Sequence, residues 1–308
     1  MKRRVIVFGC QQIAVDCIET LLRKEVEIPR IVTYELLLDK VYGYKSVQGI
    51  ASENKIQCDM PKQLTRDYIT DIQALKPDVI LSIYYRKIFP RELVAIPPLG
   101  IVNIHPSYLP HYRGCVPTAW ALLNGEKETG VTIHYIDGKI DSADMIVQNK
   151  VPITEEDTGF SLYNRCMRVG AELFEQVIDD ILSGTAPRIP QPVNGSYYGP
   201  LTDQQNRIDW STPARRIVNQ IRVFSKPYAG VESKFLNKHL IIWKARLGSQ
   251  NGYLLQGPGK ILDLIPGKKT KIVVSGVDDV IIIEDYDIFP PMDDIERNVY
   301  LKIGQKIQ

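Results

Sequence analysis

The sequence has little net charge, few cysteines and no long apolar run. Its 38 basic and 36 acidic residues give a formal net charge of +2, so no overall field attracts nucleic acid or an anionic membrane. The five cysteines are odd in number and lack Cys-x-x-Cys spacing, which favours a reduced cytoplasm over a disulfide framework. No stretch is long enough to span a bilayer, and the apolar run Val5–Phe8 is too short for a signal peptide. We therefore expect a cytoplasmic protein without a membrane partner.

Two common cofactor signals are also missing. A single glycine, Gly9, follows the first apolar segment, and the further glycines of a dinucleotide fingerprint are absent, so a nicotinamide cofactor is not expected. No acidic or cysteine cluster at ligand spacing accompanies His111 or His134, so no metal is expected. We interpret both histidines as structural or loop residues.

Short apolar segments alternate with helical patterns through the first half of the chain. Strands are predicted at Arg4–Phe8, Arg30–Tyr34, Asp78–Tyr84 and Gly100–His105. Helices are predicted at Ala14–Lys24, around Val47–Asn54, and at Arg66–Leu75. This alternation is typical of α/β proteins, so we predict a Rossmann-like parallel sheet in a catalytic domain at residues 1–188.

The remainder of the chain predicts a linker and a smaller domain. Prolines and glycines mark a linker at 189–205, and the smaller domain follows at 206–308. Its short strands are predicted at Leu240–Lys244, Gly259–Leu264, Lys271–Val274 and Val280–Glu284. A small C-terminal β-barrel of the OB-like type fits this pattern.

Polar residues are most concentrated directly after the predicted strand Gly100–His105. In an extended strand, Asn103 and His105 point to the same face, so an amide and an imidazole converge. The amide can donate a hydrogen bond to a developing oxyanion, and the imidazole can accept a proton near neutral pH. That pair suits acyl transfer to an amine. By residue type alone, however, an ordinary buried histidine at a strand end is the simpler interpretation, because such polar pairs are common.

A longer pattern around this pair resembles the folate-dependent formyltransferases. It comprises Asn-x-His-x-Ser-x-Leu-Pro-x-Tyr-Arg-Gly at 103–114, Gly-Val-Thr-Ile-His at 130–134 and Ile-Asp-Ser-Ala-Asp at 140–144. The resemblance extends from about Val5 to about Leu247 and implies that Asn103, His105 and Asp141 are catalytic. It also implies 10-formyltetrahydrofolate as co-substrate and no metal. Ser142-Ala143 departs from the family's usual pair after the aspartate, and a turn or capping role is the alternative for Asp141.

The same resemblance suggests residues that contact the two substrates. Tyr84–Phe89 resembles a segment of a UDP-amino-arabinose formyltransferase that lines the folate pocket. The residues predicted to bind folate are Arg86, Lys87, Ile88, Asp137 and Asp141. The residues predicted to bind the acceptor are Ser107, Tyr108, Arg113 and Tyr84. Arg113 either pairs with a phosphate or carboxylate or is a structural arginine bonded to loop carbonyls.

Two classes of acceptor share the motif. The segment Tyr34–Val47 is short and has only two basic residues, Lys40 and Lys45, whereas tRNA formyltransferases resemble one another in a longer basic insertion there. Against this, five basic residues leave the second domain locally basic, or form a solvated face: Lys226, Lys234, Lys238, Lys244 and Arg246. We therefore predict a nucleotide-linked amino sugar as partner and no nucleic acid, with methionyl-tRNA as the alternative acceptor. A homodimer, a folate-binding protein with a decayed site and a hydrolase of formyltetrahydrofolate are left open.

Overall fold

The computed structural model describes residues 2–34, 42–249, 252–292, 296–297 and 301–308. The chain divides into two compact units. The first comprises Met1–Pro117, Glu128–Pro152 and Asn164–Tyr198. The second comprises Thr118–Lys127, Ile153–Tyr163 and Gly199–Gln308. The division after Tyr198 falls inside the stretch interpreted as a linker, and the domain bounds at 188 and 206 stay a prediction.

A seven-stranded sheet forms the first unit. The strands of this unit are β1 (Arg4–Gly9), β2 (Glu27–Val32), β3 (Cys58–Asp59), β4 (Val79–Ile83), β5 (Ile101–His105), β6 (Arg113–Gly114), β7 (Glu128–Ile136), β8 (Met145–Pro152) and β9 (Tyr197–Tyr198). Their order in the sheet is β3-β2-β1-β4-β5-β7-β8, and β6 pairs separately with β9. The first five are parallel, which confirms the Rossmann-like prediction, but β7 and β8 are antiparallel additions. The loop between β7 and β8 is too short for a parallel crossover.

Seven α-helices are described. They are α1 (Gln11–Arg23), α2 (Val47–Glu53), α3 (Arg66–Ala74), α4 (Arg91–Val94), α5 (Pro117–Leu123), α6 (Gly159–Ser183) and α7 (Ala214–Val223). In α1, residues such as Ile13, Cys17 and Leu21 recur at helical spacing and are fully buried. A Cβ added at Gly9 would lie 2.8 Å from the Cβ of Ala14, so this glycine is needed for close packing of α1 at the end of β1.

The second unit contains an antiparallel five-stranded sheet. Its strands are β10 (Val231–Phe235), β11 (Lys238–Leu247), β12 (Ile261–Ile265), β13 (Lys271–Ser275) and β14 (Val280–Phe289), in the order β10-β11-β14-β13-β12. A 3₁₀ turn at Asp203–Asn206 precedes α7. The chain end pairs with both sheet edges, because Lys234 and Gln308 exchange backbone hydrogen bonds of 2.6 and 2.7 Å and Ile307 donates to the carbonyl of Gly259. These pairings cover the open edges, and they confirm the prediction of a small OB-like barrel.

The described helices do not include a membrane span. In those parts of the chain, none combines the length and apolar character needed to cross a lipid bilayer.

Candidate active site

The pairing of β5 with β7 brings polar side chains together. Asn103 lies directly opposite His134 in this antiparallel ladder, and His105 lies opposite Thr132. Side chains of directly opposed residues are neighbours on one face. The Nδ2 atom of Asn103 is accordingly 3.1 Å from Nε2 of His134. His134, interpreted from the sequence as structural, therefore belongs to the candidate site.

His105 is held by a backbone carbonyl. The ring is 5% exposed, and its Nε2 lies 2.9 Å from the carbonyl oxygen of Tyr112. A carbonyl only accepts, so Nε2 carries the proton and Nδ1 of the neutral ring has the free lone pair. Nδ1 lies 3.6 Å from Oδ2 of Asp141, which is beyond a hydrogen bond but close enough for the carboxylate to stabilise a protonated ring.

Asp141 lies in the loop between β7 and β8 and faces both histidines. Its backbone has a φ of +47°, a left-handed conformation that aspartate tolerates better than most residues. The backbone N–H of Gly114 in β6 donates to Oδ2 at 2.9 Å. The other carboxylate oxygen, Oδ1, is 3.5 Å from Nε2 of His134. The carboxylate is thus fixed between β6, His105 and His134.

Burial and neighbouring charges shift the pKa values of His105 and Asp141. Burial lowers the pKa of His105; Asp141 opposes this effect, while His134 adds to it. The imidazole is therefore neutral at pH 7 and available as a base. Burial by itself raises the pKa of Asp141, but His105, His134 and the Gly114 N–H outweigh it and hold that pKa well below its usual range. Asp141 is consequently ionised throughout the neutral range.

The amide of Asn103 has a defined orientation. The Nδ1–H of His134 donates to the carbonyl of Tyr135 at 2.6 Å, so the neutral ring offers Nε2 as an acceptor to Asn103. One Nδ2 hydrogen of Asn103 is thereby used. Among the described residues no partner takes the other, which is available to donate to a substrate oxygen. The arrangement thus offers an imidazole that can accept a proton, an amide that can donate a hydrogen bond, and a buried carboxylate. Within the described ranges, no group of three His, Cys, Asp or Glu side chains is placed to hold a metal.

The predicted acceptor contacts differ in how accessible they are. The hydroxyl of Ser107 is fully buried and donates to the carbonyl of His111 at 2.7 Å, so it stabilises the loop. Tyr108 is 36% exposed, whereas Tyr84 is buried and has a left-handed φ of +54°. Arg113 is partly exposed, and its Nε and Nη2 both donate to Oε1 of a glutamine, not to loop carbonyls. Acceptor binding by these residues stays a prediction.

The predicted folate contacts lie on two loops. Lys87 donates from Nζ to the carbonyls of Pro61 and Lys62 at 2.5 and 2.8 Å. Ile88 is 74% exposed, and Arg86 is exposed beside it. Asp137 is exposed and accepts a hydrogen bond from the backbone of Lys139. Only Asp141 of the predicted folate set contacts the two histidines, and folate binding by the set stays a prediction.

Asp141→Asn is expected to lower kcat by about a hundredfold with little change in the acceptor KM, because in its predicted role the carboxylate stabilises the protonated base and does not contact the acceptor. The carboxylate raises the pKa of His105, so its removal should move the acid limb of the rate profile to lower pH. The check is kcat measured across pH. Asp157→Asn removes another buried carboxylate, in the second unit, and should alter stability without moving that limb. An unshifted limb in a folded Asp141→Asn enzyme would contradict this role.

Comparison with known proteins extends over both units. Residues 5–178 match the family described as formyl transferase, and residues 200–288 match the formyl transferase C-terminal domain. A methionyl-tRNA formyltransferase of Acetivibrio thermocellus is 32% identical over 289 residues, which cover 91% of this chain and 91% of that protein. The bifunctional polymyxin resistance protein ArnA of Wigglesworthia glossinidia brevipalpis is 33% identical over 267 residues, 85% of this chain and 40% of that protein. An N-formyltransferase of Helicobacter canadensis, solved with folinic acid and dTDP-3-aminofucose, matches with a TM-score of 0.71 at 24% identity, covering 92% of this chain and 99% of that one.

Proposed function

The chain belongs to the formyl transferase family of folate-dependent transferases, and from this premise we propose that it formylates the amine of a nucleotide-linked amino sugar. The formyl donor is 10-formyltetrahydrofolate. On this proposal the enzyme acts in the cytoplasm and supplies a step of surface polysaccharide synthesis.

The proposed chemistry uses three side chains. The neutral amine attacks the formyl carbon, and Nδ1 of His105 accepts the amine proton as the new C–N bond forms. The free Nδ2–H of Asn103 donates to the oxyanion, and one such donor lowers a barrier by roughly 3 kcal/mol. Asp141 stabilises the imidazolium. When the tetrahedral intermediate collapses, the bond from carbon to N10 of the folate breaks, and the proton on His105 passes to that nitrogen.

The choice of acceptor is supported by charge pairing in the second unit. Lys226 lies 2.6 Å from Asp285, and Lys238 lies 3.2 Å from Glu296. Lys244 and Arg246 both approach Glu284, at 3.3 and 3.2 Å. Four of the five basic residues noted in the sequence thus have a carboxylate partner. These carboxylates weaken the local positive field that a phosphate backbone would meet at the four cations.

Glu284 is the centre of this pairing. Lys271 joins the other two cations at 2.9 Å. Burial raises the pKa of Glu284, but the three cations outweigh it and bring that pKa to about 2. The carboxylate is therefore ionised at every working pH, and the neutralisation persists.

The short segment Tyr34–Val47 supports the same choice only through its sequence. Residues 35–41, which include Lys40, lie outside the described residues. Lys45, its other basic residue, is paired with Glu19 at 2.9 Å.

Methionyl-tRNA is the second candidate acceptor. It is favoured by the curated relatives, since several at 32 to 38% identity are methionyl-tRNA formyltransferases. Lys234 also has no carboxylate partner among the described residues. Of the five basic residues noted in the sequence, Lys234 would thus provide about one phosphate contact, whereas binding an acceptor stem requires several.

We expect the wild-type protein to bind tRNA weakly, with a shallow dependence on salt. Glu284→Gln should tighten that binding at low salt and steepen the slope of log affinity against log salt by about 2, because Lys244, Arg246 and Lys271 lose their shared anion. The measurement is a salt titration of tRNA affinity.

The matched control is Glu175→Gln, which releases Arg23 on α1 of the first unit and should leave the slope nearly unchanged. Tight wild-type binding with a steep slope would instead favour the tRNA acceptor.

A further inference from the structure

Gln191 connects two parts of the candidate site through its side-chain amide. Its Oε1 accepts hydrogen bonds from Nε and Nη2 of Arg113, at 3.1 and 2.7 Å. Its Nε2 donates to the carbonyls of Asp141 and Ala143, at 2.9 and 2.7 Å. Both lone pairs and both N–H groups of the amide are therefore used.

The backbone around Gln191 is fixed on both sides of it. Before it, Ile189 and Met145 exchange hydrogen bonds of 2.8 and 2.9 Å. After it, the backbone N–H of Arg113 donates to the carbonyl of Ser196, and β9 pairs with β6. The side chain thus projects from an anchored segment and is not part of a free linker.

The loop held by Gln191 requires support. Asp141 has a left-handed φ of +47°, which costs aspartate less than most residues but is still less stable than an ordinary conformation, so hydrogen bonds that fix it help to keep the loop in place. The two carbonyls that accept from Gln191 belong to Asp141 itself and to Ala143 on the far side of Ser142. Arg113, on the other side of the amide, adjoins Gly114, whose N–H donates to the Asp141 carboxylate. One amide therefore joins the backbone of Asp141 to the strand that binds its side chain.

We propose that Gln191 is a positioning residue for formyl transfer, which locks the Asp141 loop to β6 and so holds the carboxylate beside His105. This inference rests on the proposed roles of His105 and Asp141 but not on the identity of the acceptor. The same amide also orients Arg113, because its Oε1 accepts from Nε and Nη2 of the guanidinium. Nη1, which has no partner among the described residues, is then available to a ligand.

Gln191→Met tests the lock by keeping the length of the side chain and removing all four hydrogen bonds. We expect kcat to fall by about 10- to 100-fold, since small displacements of a reacting group cost rates of this order. The KM for the formyl donor should change little. Gln191→Asn keeps the amide group on a side chain that is shorter by one methylene. It should retain some of the hydrogen bonds, either to Arg113 or to the two carbonyls, and so lose less activity than Gln191→Met.

The pH dependence of kcat distinguishes a role of Gln191 in positioning Asp141 from a role in stability alone. Within the described part of the chain, Asp141 and His134 are the titratable groups that face His105, and the Tyr112 carbonyl accepts from its Nε2. If Asp141 moves away, the pKa of His105 falls, because the carboxylate raises it. The acid limb of the kcat profile in Gln191→Met should then move to lower pH, in the direction expected for Asp141→Asn.

The decisive comparison uses Gln220→Met as the matched control. Gln220 also donates to two carbonyls, those of Gln205 and Arg207 at 2.7 and 2.8 Å, but it lies in the second unit. Both variants should lose some thermal stability, and only Gln191→Met should shift the NMR titration of the His105 ring in the ligand-free enzyme. An unshifted titration in Gln191→Met, with kcat within about twofold of wild type, would overturn the proposal.

Failure of the proposed function gives a different result. The ring titration requires no acceptor, and the ratio of variant to wild-type kcat can be measured with whichever acceptor the wild-type enzyme uses. A wild-type enzyme specific for methionyl-tRNA would therefore refute the sugar acceptor while leaving the Gln191 effect to be measured.

Discussion

His105→Asn is expected to lower kcat by at least about a hundredfold while leaving the fold intact, because general base catalysis contributes about 10²- to 10⁴-fold. Asparagine can still donate to the Tyr112 carbonyl, but it has no basic atom in place of Nδ1. The measurement is single-turnover formyl transfer at saturating donor and acceptor, with thermal unfolding as the check on the fold.

His239→Asn is the matched control for this variant. His239 lies in the second unit and is paired with Glu232 at 2.5 Å. Its loss should leave turnover unchanged. Turnover near that of wild type in His105→Asn would remove the histidine from the mechanism.

Asn103→Ala is expected to lower kcat by a similar factor, about 10²- to 10³-fold, because it removes the proposed oxyanion donor. The acceptor KM should change little, since the hydrogen bond to the oxyanion strengthens in the transition state. The measurement is again single-turnover transfer. Asn149→Ala, at an exposed position of β8, is the control, and an Asn103→Ala enzyme that lost only affinity would show that the amide binds substrate.

The sequence predicts that Asn103 and His105 share a face of β5, but it does not predict what holds them there. The alternation of a strand places Asn103 and His105 on one face, and in the structure both side chains lie beside His134. The contact with His134 depends on β7 pairing antiparallel to β5, whereas a pattern of alternating strands and helices predicts parallel neighbours. The Tyr112 carbonyl that holds His105 has no signal in side-chain chemistry at all.

The sequence does not predict the contacts of Gln191, for a different reason. Proline and glycine around 189–205 predict the absence of a regular element, and such composition does not predict where the backbone runs. In the structure this stretch pairs with β6 and bridges to Met145.

For the second domain, the sequence likewise shows which residues are charged but not which of them pair. Lys244 and Arg246 are visible in the sequence as basic residues, but their pairing with Glu284 depends on the register of β11 against β14. Both strands are also longer than predicted, at ten residues each. The sequence therefore shows the five basic residues but not that four of them lie beside carboxylates.

The identity of the acceptor is tested by offering both candidates to the wild-type enzyme. Specificity constants for a nucleotide-linked amino sugar and for methionyl-tRNA are compared, with 10-formyltetrahydrofolate as donor, as the salt concentration is raised. We expect a higher kcat/KM for the amino sugar, with only a mild dependence on salt because few phosphates are contacted. A preference for methionyl-tRNA, with activity that falls steeply as salt increases, would contradict it.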